Sequence, residues 1–145
     1  MADQIDLGGE IQAAIDGAIL RGRPLVIAHV RDDGSPSAAF RGSTHVHSPT
    51  ELALWVRKRH DGLAKAIERD PRVSFAFLEP DGPGARYLSI QGSARLAPEL
   101  DDAVYAAIPQ PERDQDPERK GIAVIVDVDT VKGAGSAGFF QQARS

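Results

Sequence analysis

From Tyr87 to Leu96 polar residues alternate with apolar ones at every position but Gly92, and a period of two belongs to strands, not helices. Leu88, Ile90, Ala94 and Leu96 fall on one face. Tyr87, Ser89, Gln91, Ser93 and Arg95 fall on the other. The segment Ala85–Leu96 is therefore a long strand with one face buried. Gly92 interrupts the apolar row, which signals a bulge or a close backbone approach where the strand curves. The preceding segment, Arg72–Leu78, shows the same period, with Val73, Phe75 and Phe77 aligned. Asp81-Gly82-Pro83-Gly84 turns the chain between the two.

The remaining segments fit around this pair. Ile11, Ala14, Ile15, Ala18 and Ile19 recur at helical spacing, and Gly22 and Pro24 stop that helix. Leu25–Arg31 reads as a strand, Asp32–Pro36 as a turn and Ser37–His47 as the return strand of a hairpin. Leu52–Arg57 is a third strand, with Leu52, Leu54 and Val56 on one face and Ala53, Trp55 and Arg57 on the other. A short helix follows, with Asp61 as its N-cap and Leu63, Ala64 and Ile67 as its apolar stripe. It ends near Asp70, because Pro71 disfavours helical backbone at the residue before it. Pro98–Ile108 is a helix with acidic residues in its first turn. Pro109–Lys120 reads as a polar loop, Ile122–Val131 as a final strand, and Lys132–Ser145 carries too little pattern to assign.

The expected fold is thus mainly β (α+β). It is a single domain over residues 1–145, with six antiparallel strands and a few short helices. Closing the sheet into a barrel would protect its edges, and the apolar surface left over predicts a homodimer. Lysine and arginine number 17 against 21 acidic residues, a formal net charge of −4, which argues against a nucleic-acid partner. No apolar run is long enough to span a bilayer. There is no cysteine, hence no thiolate chemistry, and a reducing cytoplasm is the expected location.

Arg57, Lys58, Arg59 and His60 form the densest positive cluster in this acidic chain. They lie between a strand end and a helix N-terminus, where backbone N–H groups favour anions. Lys65 follows within the helix. The cluster is either a phosphate site or a solvated charge run. Trp55 either borders a flat ring system or packs in a core. Gln91 either hydrogen-bonds a ligand or faces solvent. His45 and His47 share a strand face but lack a third ligand, and His29 is isolated, so no metal site is expected. Asp127 and Asp129 read as the polar side of a strand. Nucleophile-elbow, phosphate-loop and dinucleotide signatures are all missing.

Three stretches in order carry a resemblance: the hairpin turn Asp33-Gly34-Ser35-Pro36; Leu52–Phe77, with its tryptophan, basic loop and Asp70-Pro71-Arg72-Val73 junction; and Tyr87–Leu96 with its central glycine. Together they resemble the pyridoxamine 5'-phosphate oxidase-like split β-barrel family, and Val131-Lys132-Gly133 is similar to the end of the family's last strand. The resemblance implies a homodimer with two flavin sites at its interface. FMN is the usual cofactor, the deazaflavin F420 serves some branches and haem a few. It implies that Arg41 and Gly42 lie along the flavin ring, that Trp55 and Val56 border it, and that Arg57, Lys58 and Lys65 hold the phosphate or tail. Gln91 and Tyr87 sit near the place of a flavin-contacting glutamine. The sequence departs from the family where a cationic triplet usually opens the helix, for Asp61, Gly62 and Leu63 stand there.

The activity implied is a flavin- or F420-dependent oxidoreductase. It would move a hydride to or from a small conjugated organic substrate in a dimer-interface cleft, with no side chain assigned as catalytic. Two alternatives stay open: a non-catalytic flavin- or haem-binding protein, and a barrel dimer that has lost its cofactor.

Overall fold

The structure is a computed structural model and describes residues 2–60 and 62–145. Helix α1 (Glu10–Ile15) and a 3-10 turn (Ile19–Arg21) precede strands β1 (Val26–Val30), β2 (Pro36–Phe40), β3 (His45–Ser48) and β4 (Glu51–Val56). Helix α2 (Gly62–Arg69), β5 (Arg72–Leu78) and β6 (Tyr87–Leu96) follow. A 3-10 turn (Pro98–Leu100) leads into α3 (Asp101–Ala107), then come α4 (Gln110–Arg113), β7 (Ile122–Gly135) and β8 (Gly138–Ala143). The protein is mainly β, built on one antiparallel sheet of eight strands.

Two of the eight strands were not expected. The segment Ser37–His47 is not one strand but two, because the chain turns out of the sheet after Phe40 and re-enters at His45. The unassigned tail supplies the other: β7 runs on to Gly135, and the two residues Ser136 and Ala137 turn it back into β8, with Gly135 opposite Gly138. The first helix is also shorter than its spacing suggests. Gly17 adopts φ 78°, which ends α1 and leaves Ile19 on a separate 3-10 turn. The stretch Pro109–Lys120 contains α4 rather than loop alone. The N-cap assigned to Asp61 lies outside the described residues.

The strand order is β2-β1-β5-β6-β7-β4-β3, with β8 on the far half of β7. This path is open: no ladder joins β2 to β3. Yet these two edge strands are consecutive in the chain, so residues 41–44 carry the chain from one edge of the sheet to the other. The backbone stands in for the missing ladder. Arg41 N–H donates to Leu25 O at 2.9 Å on the β1 side. On the β4 side, the Ser43 hydroxyl takes the place of a strand: Trp55 N–H donates to Ser43 Oγ at 2.9 Å, and Ser43 Oγ donates to Trp55 O at 3.1 Å. Thr44 Oγ1 donates to Arg41 O at 2.9 Å and tightens the turn. Ser43→Ala is therefore expected to leave both Trp55 backbone groups unpaired. The cost is about 2–4 kcal/mol, read as a lower urea midpoint at constant slope. A loss under about 0.5 kcal/mol would mean that the hydroxyl does not join this seam.

Alternation on β4 divides the interior in two. Leu52, Leu54 and Val56 pack into the main core with Ile27, Phe75, Ile90 and Val126. Ala53 and Trp55 point the other way, into a smaller cluster with Val104, Ile108 and Ile125 beneath α3. β6 curves where the sequence indicates. Its register with β7 slips between Gln91 and Gly92, and a Cβ on Gly92 would strike Asp127 O and come within 2.9 Å of Val126 Cγ1. α2 ends at Arg69, one residue before the Asp70-Pro71 pair. Hydrogen bonds from Arg72 then hold the half-buried Asp70 carboxyl down at about 2. Among the described residues no helix is long and apolar enough to cross a membrane.

Candidate functional site

The seam at residues 41–44 is flanked by two concavities, and Arg41 lines both. One is a groove of about 530 Å³ between the inner side of β1–β2 and the start of α2. His29, Ser37 and Arg41 form its strand wall; Gly62, Leu63 and Lys65 form its helix wall. The other is a cavity of about 180 Å³ on the opposite side of the seam, where Arg41, Gly42 and Ser43 meet Trp55, Arg57 and Glu112.

Local sequence explains the placement. Antiparallel register puts His29 opposite Ser37 and Ile27 opposite Ala39, so His29, Ser37 and Arg41 continue the inward-facing row at the edge of β2. Where Ile27 and Phe75 fill the core, this end of the row is polar. The Arg41 Nε and the His29 Nδ1 are buried and have no hydrogen-bond partner among the described residues. Burial, then the Arg57 charge, holds the Arg41 guanidinium below its ordinary value, with Glu112 opposing. Burial also lowers His29, with Arg41 and Arg31 adding to the effect, so the imidazole is neutral near pH 7. Orphaned donors beside a cation are what an anionic, hydrogen-bonding ligand would satisfy. Lys65 stands at the groove with its ammonium 3.4 Å from Asp32; both are largely exposed, so little holds that pair together.

The structure brings together five of the residues singled out from sequence. Arg41, Gly42, Trp55 and Arg57 line the small cavity, and Arg41 and Lys65 line the groove. The other three lie apart. The Val56 side chain faces the main core, 2% exposed. Lys58 is exposed beyond the end of β4 and lines neither space. Gln91 is on the outer face of β6, where its Oε1 accepts from Thr130 Oγ1 at 3.1 Å. Within the basic cluster, Arg59 is committed to structure: its Nη1 donates to Gly121 O at 2.7 Å and to Asp101 Oδ2 at 3.1 Å. His45 is buried, with Nδ1 2.8 Å from Ser43 O. Burial lowers its pKa despite that bond and the nearby Asp16.

Two parts of the site went unread in the sequence. His29 was isolated in the chain, and only the β1–β2 register puts it beside Arg41. Asp116 sat among polar residues that looked like loop. It is buried, and its carboxylate organises the back of the cavity. Oδ2 accepts from Trp55 Nε1 at 2.9 Å and from Gly121 N at 2.8 Å; Oδ1 accepts from Lys120 N at 3.0 Å. Burial pushes this carboxyl up, but the three donors and the Arg57 charge outweigh it, and its pKa falls below the ordinary value. Gly121 is required here, since a Cβ would lie 2.7 Å from Trp55 Nε1. Tyr105 packs edge-on against Trp55, centroids 5.1 Å apart, and donates to Asp116 O at 2.9 Å. Trp55 is thus fixed on three sides and 4% exposed, a wall of the cavity rather than an open stacking platform.

No protein-family model matches the sequence, and no curated protein matches it. Solved structures do match. A pyridoxamine 5'-phosphate oxidase-related, FMN-binding protein from Nostoc punctiforme superposes with a TM-score of 0.63 at 14% identity, over 90% of this chain and 83% of that one. The general stress protein 26 of Bacillus anthracis gives 0.60 at 21% identity, covering 81% and 89%. An F420 reductase gives 0.61 at 18% identity, covering 86% and 95%. At these identities the likeness speaks to architecture, and it establishes that this chain has the fold of the pyridoxamine 5'-phosphate oxidase-like proteins.

Proposed function

We propose that this protein is a flavin- or deazaflavin-dependent oxidoreductase, a single-domain cytoplasmic homodimer whose cofactor lies in the groove between β1–β2 and α2. The observation that carries this reading is the groove itself. It combines the two unpartnered buried nitrogens of Arg41 and His29 with the mobile charge of Lys65, on a fold shared with FMN-binding and F420 reductase structures. A group with an anionic tail and a hydrogen-bonding ring edge fits that donor set.

The roles follow from position. Arg41 supplies a fixed guanidinium at the seam for a ring carbonyl or a phosphate oxygen. His29, neutral, offers a donor or an acceptor to the ring edge. Lys65 can leave Asp32 at little cost and meet the tail. Gly62, at φ 54°, keeps side-chain bulk away from the groove at the helix start. When bound, the cofactor supplies the hydride chemistry, and the protein orients it and shields it from water.

An apolar outer face supports the homodimer. Leu78, Tyr87, Ala134 and Phe139 lie opposite one another across β5, β6, β7 and β8, with Phe40 and Val26 flanking them. Phe139 is 90% and Phe40 72% exposed, an apolar row that a partner subunit would cover.

Titration of purified protein with FMN and with F420, followed by visible absorbance, tests the proposal. We expect saturation at one cofactor per chain, and a dimer by light scattering. Reduction by a hydride donor and reoxidation by an organic acceptor should then cycle the bound cofactor. Protein that binds neither cofactor at micromolar concentration would remove the oxidoreductase reading. Tight binding without redox cycling would reduce it to a carrier.

A further inference from the structure

The small cavity behind the seam is too small for a three-ring cofactor. A cavity of about 150 Å³ holds one benzene, and this one measures about 180 Å³. It takes a single six-membered ring with a small substituent.

Its chemistry is equally selective. Arg41 and Arg57 both line it, and the one carboxylate at its wall, Glu112, already accepts a hydrogen bond from Gln115 Nε2 at 3.2 Å. Both carboxylates near these guanidiniums are already engaged, Glu112 by Gln115 and Asp116, behind Trp55, by three N–H donors, so the two guanidiniums are the groups left to receive an anion. Phe40, Trp55 and Ile108 supply apolar and aromatic wall, and the polar Ser43 and Gln115 beside them are already hydrogen-bonded. The geometry points to a binding site for a monocyclic carboxylate, with the carboxylate on Arg41 and Arg57 and the ring between Trp55, Phe40 and Ile108. Guanidinium suits a carboxylate because its planar fork matches the two oxygens. On the oxidoreductase reading, Arg41 stands between the cofactor groove and this cavity, so the carboxylate held here is a one-ring effector seated beside the cofactor and not the hydride-transfer substrate, which must touch the flavin ring.

The chain contains one tryptophan, and it lines this cavity, so binding reads directly in its fluorescence. Benzoate added to cofactor-free protein should change Trp55 emission saturably. Benzamide, the same shape without the charge, should bind about tenfold or more weaker. Arg57→Ala, an exposed position, should weaken benzoate about tenfold or more while leaving the melting temperature essentially unchanged. FMN titrated by its visible absorbance should still saturate at one per chain in the presence of saturating benzoate. Equal affinity for benzoate and benzamide, an unaltered Arg57→Ala, or competition between benzoate and FMN would each overturn the assignment. Benzoate binding in a protein that takes up no flavin would confirm the carboxylate site and overturn the oxidoreductase reading alone. Flavin binding with no benzoate response would overturn the cavity assignment alone.

Discussion

Asp116→Ala should be the most destabilising single substitution at this site, costing about 3–5 kcal/mol. Its carboxylate receives three N–H donors, from Trp55 Nε1, Gly121 and Lys120. The Trp55 and Gly121 groups are buried, so water cannot easily replace the lost acceptor, and each donor left unpaired costs about 1–3 kcal/mol. Against a total stability of about 5–15 kcal/mol that is a large share, and the melting temperature should fall by about 10 °C. Asp116→Asn keeps one oxygen and should cost less. It should also alter the acid limb of stability. The folded-state pKa of Asp116 lies below its ordinary value of 3.8. The wild-type contribution is therefore full above that ordinary value and lost as pH falls through the folded-state value. The asparagine variant should lack this part of the acid loss. Urea midpoints measured between neutral pH and pH 3 would show it; parallel curves for the two proteins would mean that the carboxylate's charge plays no part.

Arg41→Gln should have the largest effect on binding, and in the opposite direction from its effect on stability. A half-buried guanidinium with an unpaired Nε and Arg57 nearby is held at some expense to the folded state. Glutamine removes the charge, so the melting temperature should stay level or rise. Flavin affinity should nevertheless fall about tenfold or more, since a charge-assisted hydrogen bond is lost. A residue that costs stability and supplies affinity is the usual signature of a site maintained for function. Should Arg41→Gln melt well below the wild type, its main role would be to hold the seam, and the functional assignment would fail.

Much of the scaffold was legible because strands such as β5 and β6 bury one face. The alternation survives as a split between core and surface in Arg72–Leu78 and Tyr87–Leu96, and as a split between two buried clusters in Leu52–Val56. Gly92 marked its bulge, since only a residue without a Cβ tolerates the Asp127 carbonyl there. The seam was not legible. Every residue from Ser37 to His47 is compatible with a strand, and nothing local says that the chain must leave one edge of the sheet and join the other. That decision belongs to the Ser43–Trp55 bonds, which are twelve residues apart in the chain. The β8 strand was hidden for another reason: glycines at 133, 135 and 138 dilute the apolar pattern of the hairpin. The basic cluster drew notice as a unit, but the fold distributes it, with Arg59 spent on Asp101 and Gly121 and Arg57 turned toward the cavity. The cation at the centre of the site, Arg41, was legible only through the family resemblance.

β7 has a consequence for how the protein is made. Its first half lies between β4 and β6, and its second half between β6 and β8. Ala53 of β4 meets Ile125 of β7 about seventy residues later in the chain. As the polypeptide leaves the ribosome, β4 and β6 emerge well before the strand that joins them, and each waits with an unpaired edge and a greasy face. The nascent chain is therefore most vulnerable to misassociation just before β7 appears. A slowdown in translation at that point would lengthen the window in which a chaperone must hold it.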